Sequence, residues 1–357
     1  MADQQVSKLG IASVTVKATL AALSRAVVSP FKGDNGAPKY YKDVMFAMMR
    51  AQLGSLTLAQ DRYLNTNTTD VYLKFTKKHG FAPESITLPS GTQAHWMGNK
   101  HAKKVILYYH GGGYVLPASD GHLAMLHDIV KTLPDTAVLL LAYDLAPEAR
   151  YPTQTRQGVE ALRYLVETLH RDPSHITIGG DSAGGNLTAS VLSHLSHPHE
   201  DIPTLTLPSK LHAAILISPW ASFNAHTQSF KTNAEKDMFD ARTLTRWSSA
   251  FLGSDSPFAG DFYSEPVLAP AWWWEKTVDV VDEVLIWGGE NEVLIDGIQE
   301  FAKRFEKGFA GKGGKLTTIV SPKAAHVEMI VESLLGYPGD SGTGSREAVK
   351  GWLKAKL

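Results

Sequence analysis

The residues best suited to chemistry in this 357-residue chain surround a serine flanked by glycines, Gly180-Asp181-Ser182-Ala183-Gly184. This Gly-x-Ser-x-Gly pattern follows an apolar run at residues 176–178 and precedes a helical pattern at residues 184–194. Glycines on both sides of a serine permit a tight strand-to-helix turn that lifts the hydroxyl clear of the backbone. We therefore interpret Ser182 as a candidate nucleophile, the alternative being a plain glycine-rich turn.

A second group of small residues, His110-Gly111-Gly112-Gly113-Tyr114, follows the apolar run at residues 105–109. Consecutive glycines leave backbone N–H groups unobstructed, as an oxyanion hole requires. We predict that the N–H groups of Gly111, Gly112 and Ala183 stabilise a negatively charged oxygen. Tyr114, just past the glycines, is a candidate wall of the substrate pocket.

Four stretches together carry a family resemblance, HGGGY at 110–114, YDLAPEARYP at 143–152, GDSAGGN at 180–186 and SPW at 218–220. They resemble the hormone-sensitive-lipase-like family of α/β-hydrolase esterases, over about residues 70–335. The resemblance implies an α/β fold with a mostly parallel eight-stranded sheet covered by helices, in a single domain of residues 1–357. It also implies a helical cap from about residues 1–50 and the 221–262 insertion. The implied activity is hydrolysis of a small to medium carboxylic ester through an acyl-enzyme, without metal or organic cofactor.

The general base is located by chain order, which in this fold runs serine, acid, histidine. The chain has fourteen histidines, and only His326 lies beyond Asn291. It follows an apolar run at residues 316–320 and a Ser-Pro turn, so it is expected in a loop at the end of a strand. We predict that His326 is the base.

The acid departs from the resembled pattern, which usually carries Asp in Gly-x-x-Asp-x-Leu. Here residues 289–294 read Gly-Glu-Asn-Glu-Val-Leu, and the pattern position falls on Glu292. Glutamate can orient an imidazole and stabilise its protonated form as aspartate does. Glu290 and Asp296 stay open as alternatives, either as the acid or as solvated loop charges.

Two tryptophans complete the candidate site. Trp220 belongs to the SPW stretch, and Trp273 is the middle of three tryptophans at residues 272–274. Either a wall of the acyl or alcohol pocket or packing at the protein's edge would explain that run. The His-x-x-His-x-His run at residues 194–199 has metal-ligand residue types but no partner cluster, so we expect a solvated tail and no metal.

The elements that must position these residues alternate along the chain. Apolar runs indicate strands buried on both faces at residues 105–109, 137–141, 176–178, 213–217 and 284–287. Residues 85–88 and 92–96 indicate an antiparallel edge hairpin. Helical patterns fill residues 121–132, 156–169, 184–194, 295–307 and 345–356. This order predicts a helix-covered, mainly parallel sheet. The alternation breaks between residues 220 and 263, where a helix near 241–251 predicts an insertion over the sheet.

Composition narrows the functional class. The chain has no cysteine, which removes thiolate catalysis, thiolate metal sites and disulfides. Its 35 basic and 36 acidic residues leave a formal net charge of −1, which argues against binding nucleic acid. The first residues lack a signal-peptide pattern. We expect a cytoplasmic enzyme with a small-molecule ester substrate and no integral membrane segment, and the resemblance admits a homodimer. A lyase, cyclase or acyl-transfer reaction and a non-catalytic ligand binder stay open as alternative functions.

Residues 9–28 are apolar, with Lys17 and Arg25 interrupting them. Five apolar side chains fall on one helical stripe: Leu9, Val16, Leu20, Leu23 and Val27. The helix could pack on the protein's own body, or lie on a membrane surface or beside the substrate mouth. We favour packing on the body.

Overall fold

The computed structural model describes residues 6–253, 260–337 and 344–357. Its centre is an eight-stranded sheet in the order β1-β2-β4-β3-β5-β6-β7-β8. The strands are β1 Glu84–Thr87, β2 Gln93–Met97, β3 Lys104–Tyr109, β4 Thr136–Ala142, β5 Ile176–Asp181, β6 Leu211–Ile217, β7 Val281–Gly289 and β8 Lys315–Ser321. β2 pairs antiparallel with both β1 and β4, and every other neighbouring pair is parallel. The predicted α/β-hydrolase sheet is therefore confirmed.

Helices cover both faces of this sheet. They are α1 Lys8–Val28, α2 Tyr40–Ser55, α3 Leu58–Leu64, α4 Thr68–His79, α5 Asp120–Thr132, α6 Thr153–Arg163, α7 Ala183–Ser196, α8 Ser229–Thr232, α9 Ala241–Leu252, α10 Ile295–Gly308, α11 Glu328–Leu334 and α12 Ser345–Lys356. Residues 40–79, to which the sequence patterns assign no element, form α2, α3 and α4.

The apolar strands are continuous because each face of the sheet has its own core. In β3, Leu107 and Tyr109 point into one buried cluster, and Ile106 and Tyr108 point into the other. Successive side chains of a strand face opposite sides, so a strand with helices above and below has no polar face. This packing holds the carboxyl ends of β3, β5, β6, β7 and β8 along one edge of the sheet.

The two segments expected to form the cap contact each other. Arg50 on α2 forms an ion pair with Glu235 of the 221–262 insertion, with 2.8 Å between the charged atoms. Arg246 on α9 donates to the carbonyl oxygen of Leu53 at 2.9 Å. The N-terminal helices and the insertion therefore lie together on the same side of the molecule.

The favoured interpretation of the N-terminal stripe is wrong. Its five side chains are between 57 % and 84 % exposed, whereas Val14 and Ala18 on the opposite face are buried. That opposite face packs on α2, where Arg25 forms an ion pair of 2.8 Å with buried Asp43. Helical spacing predicts which residues share a face but not which face the neighbouring helix contacts, and here the smaller side chains allow the closer approach.

One helix among the described residues, Lys8–Phe31, is long and apolar enough to cross a membrane by length and composition. Only 11 % of its most apolar window is buried. A single helix of this kind near an N-terminus is weak evidence for a span, because core helices and signal sequences pass the same test.

Candidate active site

Ser182 lies at the turn between β5 and α7, with φ of 51° and ψ of −116°. This backbone conformation is strained for a residue with a side chain, at a typical cost of about 1–3 kcal/mol. The turn is possible because its neighbours lack a Cβ. A Cβ at Gly180 or Gly184 would lie 2.3 Å or 1.9 Å from the carbonyl oxygen of Tyr109. The sequence therefore forms the tight strand-to-helix turn that the Gly-x-Ser-x-Gly pattern predicts.

Ser182 lines a cavity of about 750 Å³, and His326 lines the same cavity. This volume is within the range of small-molecule sites, about 300–1,000 Å³. Most of the lining is apolar, and α2 contributes a wall that contains three methionines. Lining residues from several elements include Met45, Met48, Met49, Phe239, Trp247 and Ile330.

His326 and Glu292 form a buried pair, with 2.7 Å between Nδ1 and Oε2. The other carboxylate oxygen of Glu292 accepts hydrogen bonds from the Ser218 hydroxyl at 3.1 Å and from the Gly289 N–H. A carboxylate only accepts, so Nδ1 carries the proton when the imidazole is neutral. Nε2 of His326 has no hydrogen-bond partner in the described structure although it is buried. That nitrogen is left with a free lone pair.

The environment stabilises the protonated form of His326. Burial by itself would lower its pKa, but the hydrogen bond and the charge of Glu292, with the charges of Asp237 and Asp181, raise the pKa above 6.5. His110, in the glycine-rich loop, is the opposite case, because burial lowers its pKa to about 3. His110 is therefore neutral at physiological pH, whereas the surroundings of His326 favour its protonated form.

The two alternative acids are engaged elsewhere. Glu290 accepts the N–H of Lys323 at 2.9 Å, and Asp296 accepts the N–H of Ser229 at 2.8 Å. Of these three described carboxylates, Glu292 is the one that contacts His326. The spacing that selects Glu292 therefore agrees with the geometry.

The glycine-rich loop is hydrogen-bonded to Asp181, the residue before Ser182. Asp181 accepts the N–H of Gly111 at 3.0 Å and the Tyr108 hydroxyl at 2.9 Å. His122 on α5 also contacts Asp181, at 3.1 Å. Because the Gly111 N–H is committed to Asp181, it is not available to an oxyanion, contrary to the prediction. Gly112, by contrast, lines the cavity with φ of 111°.

The three aromatic residues expected to contact substrate do not line this cavity, although all three are in the described part of the chain. Tyr114 is buried, donates to Asn186 at 2.6 Å and stacks on Phe251. Trp273 stacks on His197 at the far end of α7. The ring of Trp220 is in the core, while its N–H holds the Ser182 carbonyl oxygen at 2.9 Å. These predictions are wrong because proximity in sequence does not determine which way a side chain points from a turn.

Asp237, in the 221–262 insertion, was not found by sequence reasoning. It is fully buried and accepts the N–H of Val293 at 2.8 Å and the N–H of His326 at 3.4 Å. Burial raises the pKa of Asp237 to about 6, with the charge of His326 lowering it and that of Glu292 raising it. No motif marks this aspartate, because its partners are distant in the sequence.

The loop that carries His326 is also held from α2. Lys42 is buried and donates to both Glu328 and Glu332 of α11, the helix that begins two residues after His326. Ser218, just after β6, accepts the N–H of Val327 at 3.2 Å. The N-terminal helices therefore contribute to the position of the histidine loop.

Comparison with known proteins gives the class first. The family model for the alpha/beta hydrolase fold matches residues 106–330, and the chain belongs to this family. The crystal structure of the esterase EstE5 is similar with a TM-score of 0.62 and 27 % identity, covering 82 % of this chain and 92 % of that one. An esterase of the bacterial hormone-sensitive lipase family shares the fold at a TM-score of 0.62 and 23 % identity, over 99 % of both chains. The resemblance drawn from the motifs is therefore confirmed.

Among curated proteins, an acetyl-hydrolase of Streptomyces hygroscopicus is 27 % identical over 250 residues, which are 70 % of this chain and 76 % of that protein. The steryl acetyl hydrolase 1 of Saccharomyces cerevisiae is 30 % identical over 162 residues. That match covers 44 % of this chain and 34 % of the yeast protein.

Proposed function

We propose that this protein is a serine carboxylesterase that hydrolyses its substrate through an acyl-enzyme. The observation that carries the proposal is the buried, unpartnered Nε2 of His326 in the cavity that Ser182 lines. A ligand binder has no use for a strained serine and a free imidazole nitrogen at one site. The family and the names of its esterase and acetyl-hydrolase relatives support the same reaction class.

In the first step, Nε2 of His326 accepts the hydroxyl proton of Ser182 while Oγ attacks the ester carbonyl carbon. The tetrahedral intermediate collapses, the C–O bond to the alcohol breaks, and the imidazolium returns its proton to the departing alkoxide. Water then repeats the sequence on the acyl-enzyme and releases the acid. Glu292 holds the Nδ1–H tautomer and stabilises the imidazolium through the 2.7 Å contact.

The negative oxygen of the intermediate requires donors near Ser182. We assign this role to the N–H groups of Gly112 and Ala183, with the adjacent Gly113 as the third. Gly112 lines the cavity, and Ala183 is the first residue of α7, where the helix dipole favours negative charge. The role predicted for Gly111 is withdrawn because its N–H is bound by Asp181. No cofactor is needed for these steps, and the absence of cysteine fits a cytoplasmic enzyme.

The cavity favours esters with an apolar alcohol or acyl part. Its wall of methionine, leucine and phenylalanine offers few hydrogen-bond partners to a polar leaving group. We therefore expect 2-phenylethyl acetate to have a kcat/KM at least about tenfold above that of acetylcholine, a polar acetate ester whose leaving group is also an alkyl alcohol. Equal rates would contradict the apolar preference while leaving the esterase proposal intact.

The esterase proposal is tested directly by turnover and labelling. Purified protein should hydrolyse p-nitrophenyl acetate and butyrate, and a fluorophosphonate should label it once, on Ser182. The Ser182→Ala variant should show neither. No turnover of any ester by protein that binds an ester analogue would instead indicate a ligand binder.

A further inference from the structure

The surface of α1 carries an apolar stripe that no described residue covers. Leu9, Val16, Leu20, Leu23 and Val27 make up this stripe, and each is more than half exposed. Phe31, just after the helix, is 85 % exposed. Contiguous exposed apolar surface of this kind marks an interaction site in a soluble protein.

The charges around the stripe indicate what covers it. At about 100° per residue, Lys8 and Lys17 lie roughly 90° to either side of the stripe, and both are exposed. No acidic residue occurs between positions 4 and 33. A helix with an apolar face and lysines along both borders places its apolar side chains below lipid headgroups and its ammonium groups among the phosphates.

The opposite face of α1 fixes the orientation of the helix. Val14 and Ala18 are buried there, and Arg25 is paired with Asp43 of α2. A helix that crossed the bilayer would have to give up this ion pair and leave Asp43 buried without its guanidinium partner. The stripe points directly away from the protein, so α1 can lie in the plane of a membrane without any change in the fold.

A second copy of the chain fits the stripe less well. In a two-fold interface the stripe would meet its own copy, which supplies apolar surface but no negative charge for the lysines. The segment offers no carboxylate to pair with them. An anionic lipid surface supplies both the apolar layer and the negative charge.

We propose that α1 docks this protein on an anionic phospholipid surface, with the stripe in the boundary between headgroups and acyl chains. The docked helix packs on α2, and α2 also supplies Met45, Met48 and Met49 to the cavity. One helix thus separates the membrane contact from the apolar cavity. Docking in this place would bring the cavity close to lipophilic esters dissolved in the bilayer.

The test is flotation of the full chain with vesicles, which does not depend on esterase activity. Vesicles of phosphatidylcholine with about 30 % phosphatidylserine should carry the protein, and phosphatidylcholine alone should carry several-fold less. High salt should reduce the difference. The double variant Leu20→Glu/Leu23→Glu should lower the vesicle-bound fraction at least about tenfold, because two charges enter the apolar face. Lys8→Gln/Lys17→Gln should remove most of the preference for phosphatidylserine.

The matched control is Leu268→Glu, the same change at a leucine that is 40 % exposed but far from α1 in the sequence. It should float like the unmodified protein, and thermal melting should show that all variants remain folded. The proposal would be overturned by no flotation of the unmodified protein, by flotation of Leu20→Glu/Leu23→Glu equal to that of the control, or by a dimer in solution that the same double variant dissociates. Resistance of the bound protein to carbonate extraction would show a membrane span and would also overturn docking in the plane.

Discussion

Two buried carboxylate–imidazole pairs lie near Ser182, Glu292 with His326 and Asp181 with His122. Both histidines line the same cavity as Ser182, and both touch a carboxylate that is almost fully buried. By burial and by contact with an acid, the two imidazoles resemble each other. They differ in what their second nitrogen does.

Both ring nitrogens of His122 form hydrogen bonds. Its Nδ1 accepts the N–H of Ser119 at 3.0 Å, which leaves the proton on Nε2 facing Asp181. In His326, Nδ1 faces the carboxylate and Nε2 has no partner among the described residues. To act as a base, a histidine needs a ring nitrogen with a free lone pair. A neighbouring carboxylate does not by itself provide one. The second pair instead holds the glycine-rich loop, because Asp181 also binds Gly111.

The largest expected effect comes from Ser182, the proposed nucleophile. Ser182→Ala should lower kcat for p-nitrophenyl butyrate by about 10⁶-fold, since His326 would have no hydroxyl to deprotonate. Steady-state kinetics and fluorophosphonate labelling measure this. Labelling that persists in the variant would place the nucleophile elsewhere.

The next effect separates Glu292, the proposed acid, from Glu290 in the same loop. Glu292→Gln should lower kcat by up to about 10⁴-fold with KM little changed, because the imidazole loses its orienting acceptor. Glu290→Gln is the matched control, and it should change kcat less than about tenfold because that carboxylate binds the N–H of Lys323. The reverse ranking of the two variants would assign the acid to Glu290.

Breaking the second pair should affect stability more than chemistry. His122→Asn leaves the Asp181 carboxylate buried with fewer donors, at a cost of about 1–3 kcal/mol in the free energy of unfolding. Thermal melting should fall by several degrees, while kcat falls no more than about tenfold through the loosened glycine loop. A loss of kcat as large as that of Glu292→Gln, in folded protein, would show that both pairs act in catalysis.

The smallest effect is a shift in pH dependence. The pKa of His326 is raised above 6.5, and protonated imidazole cannot accept the serine proton, so kcat/KM should fall as pH drops through a value above 6.5. Asp237→Asn removes one charge that raises this pKa, so the acid limb should move to lower pH. A merely structural role for Asp237 would change stability and leave the limb in place.

Sequence patterns predict the parts of the site that depend on local geometry. The strands are apolar on both faces, the serine turn needs its glycines, and the spacing after β7 selects Glu292. Each of these features follows from residues close together in the chain. The eight-stranded sheet and the tight turn at Ser182 can therefore be predicted without a structure.

The sequence does not predict features that depend on the direction of a backbone or side-chain group, or on contacts between residues far apart in the chain. The direction of the Gly111 N–H depends on a peptide plane, and Asp181 lies far from it in the chain. Asp237 reaches the histidine loop from the insertion, with no pattern to mark it. The stripe on α1 was found by its spacing, but only the packing of α2 shows that it faces outward.

The buried lysine of α2 has a practical consequence for anyone who shortens or redesigns this protein. Lys42 is the buried cation that pairs with two glutamates of α11, so removing the first 45 or so residues would leave both carboxylates buried without this partner. A chain truncated to widen access to the cavity would no longer hold the His326 loop in position. The loss of this support would outweigh any wider choice of substrates. Helix α2, near the beginning of the chain, therefore supports the position of His326 as directly as α11 does.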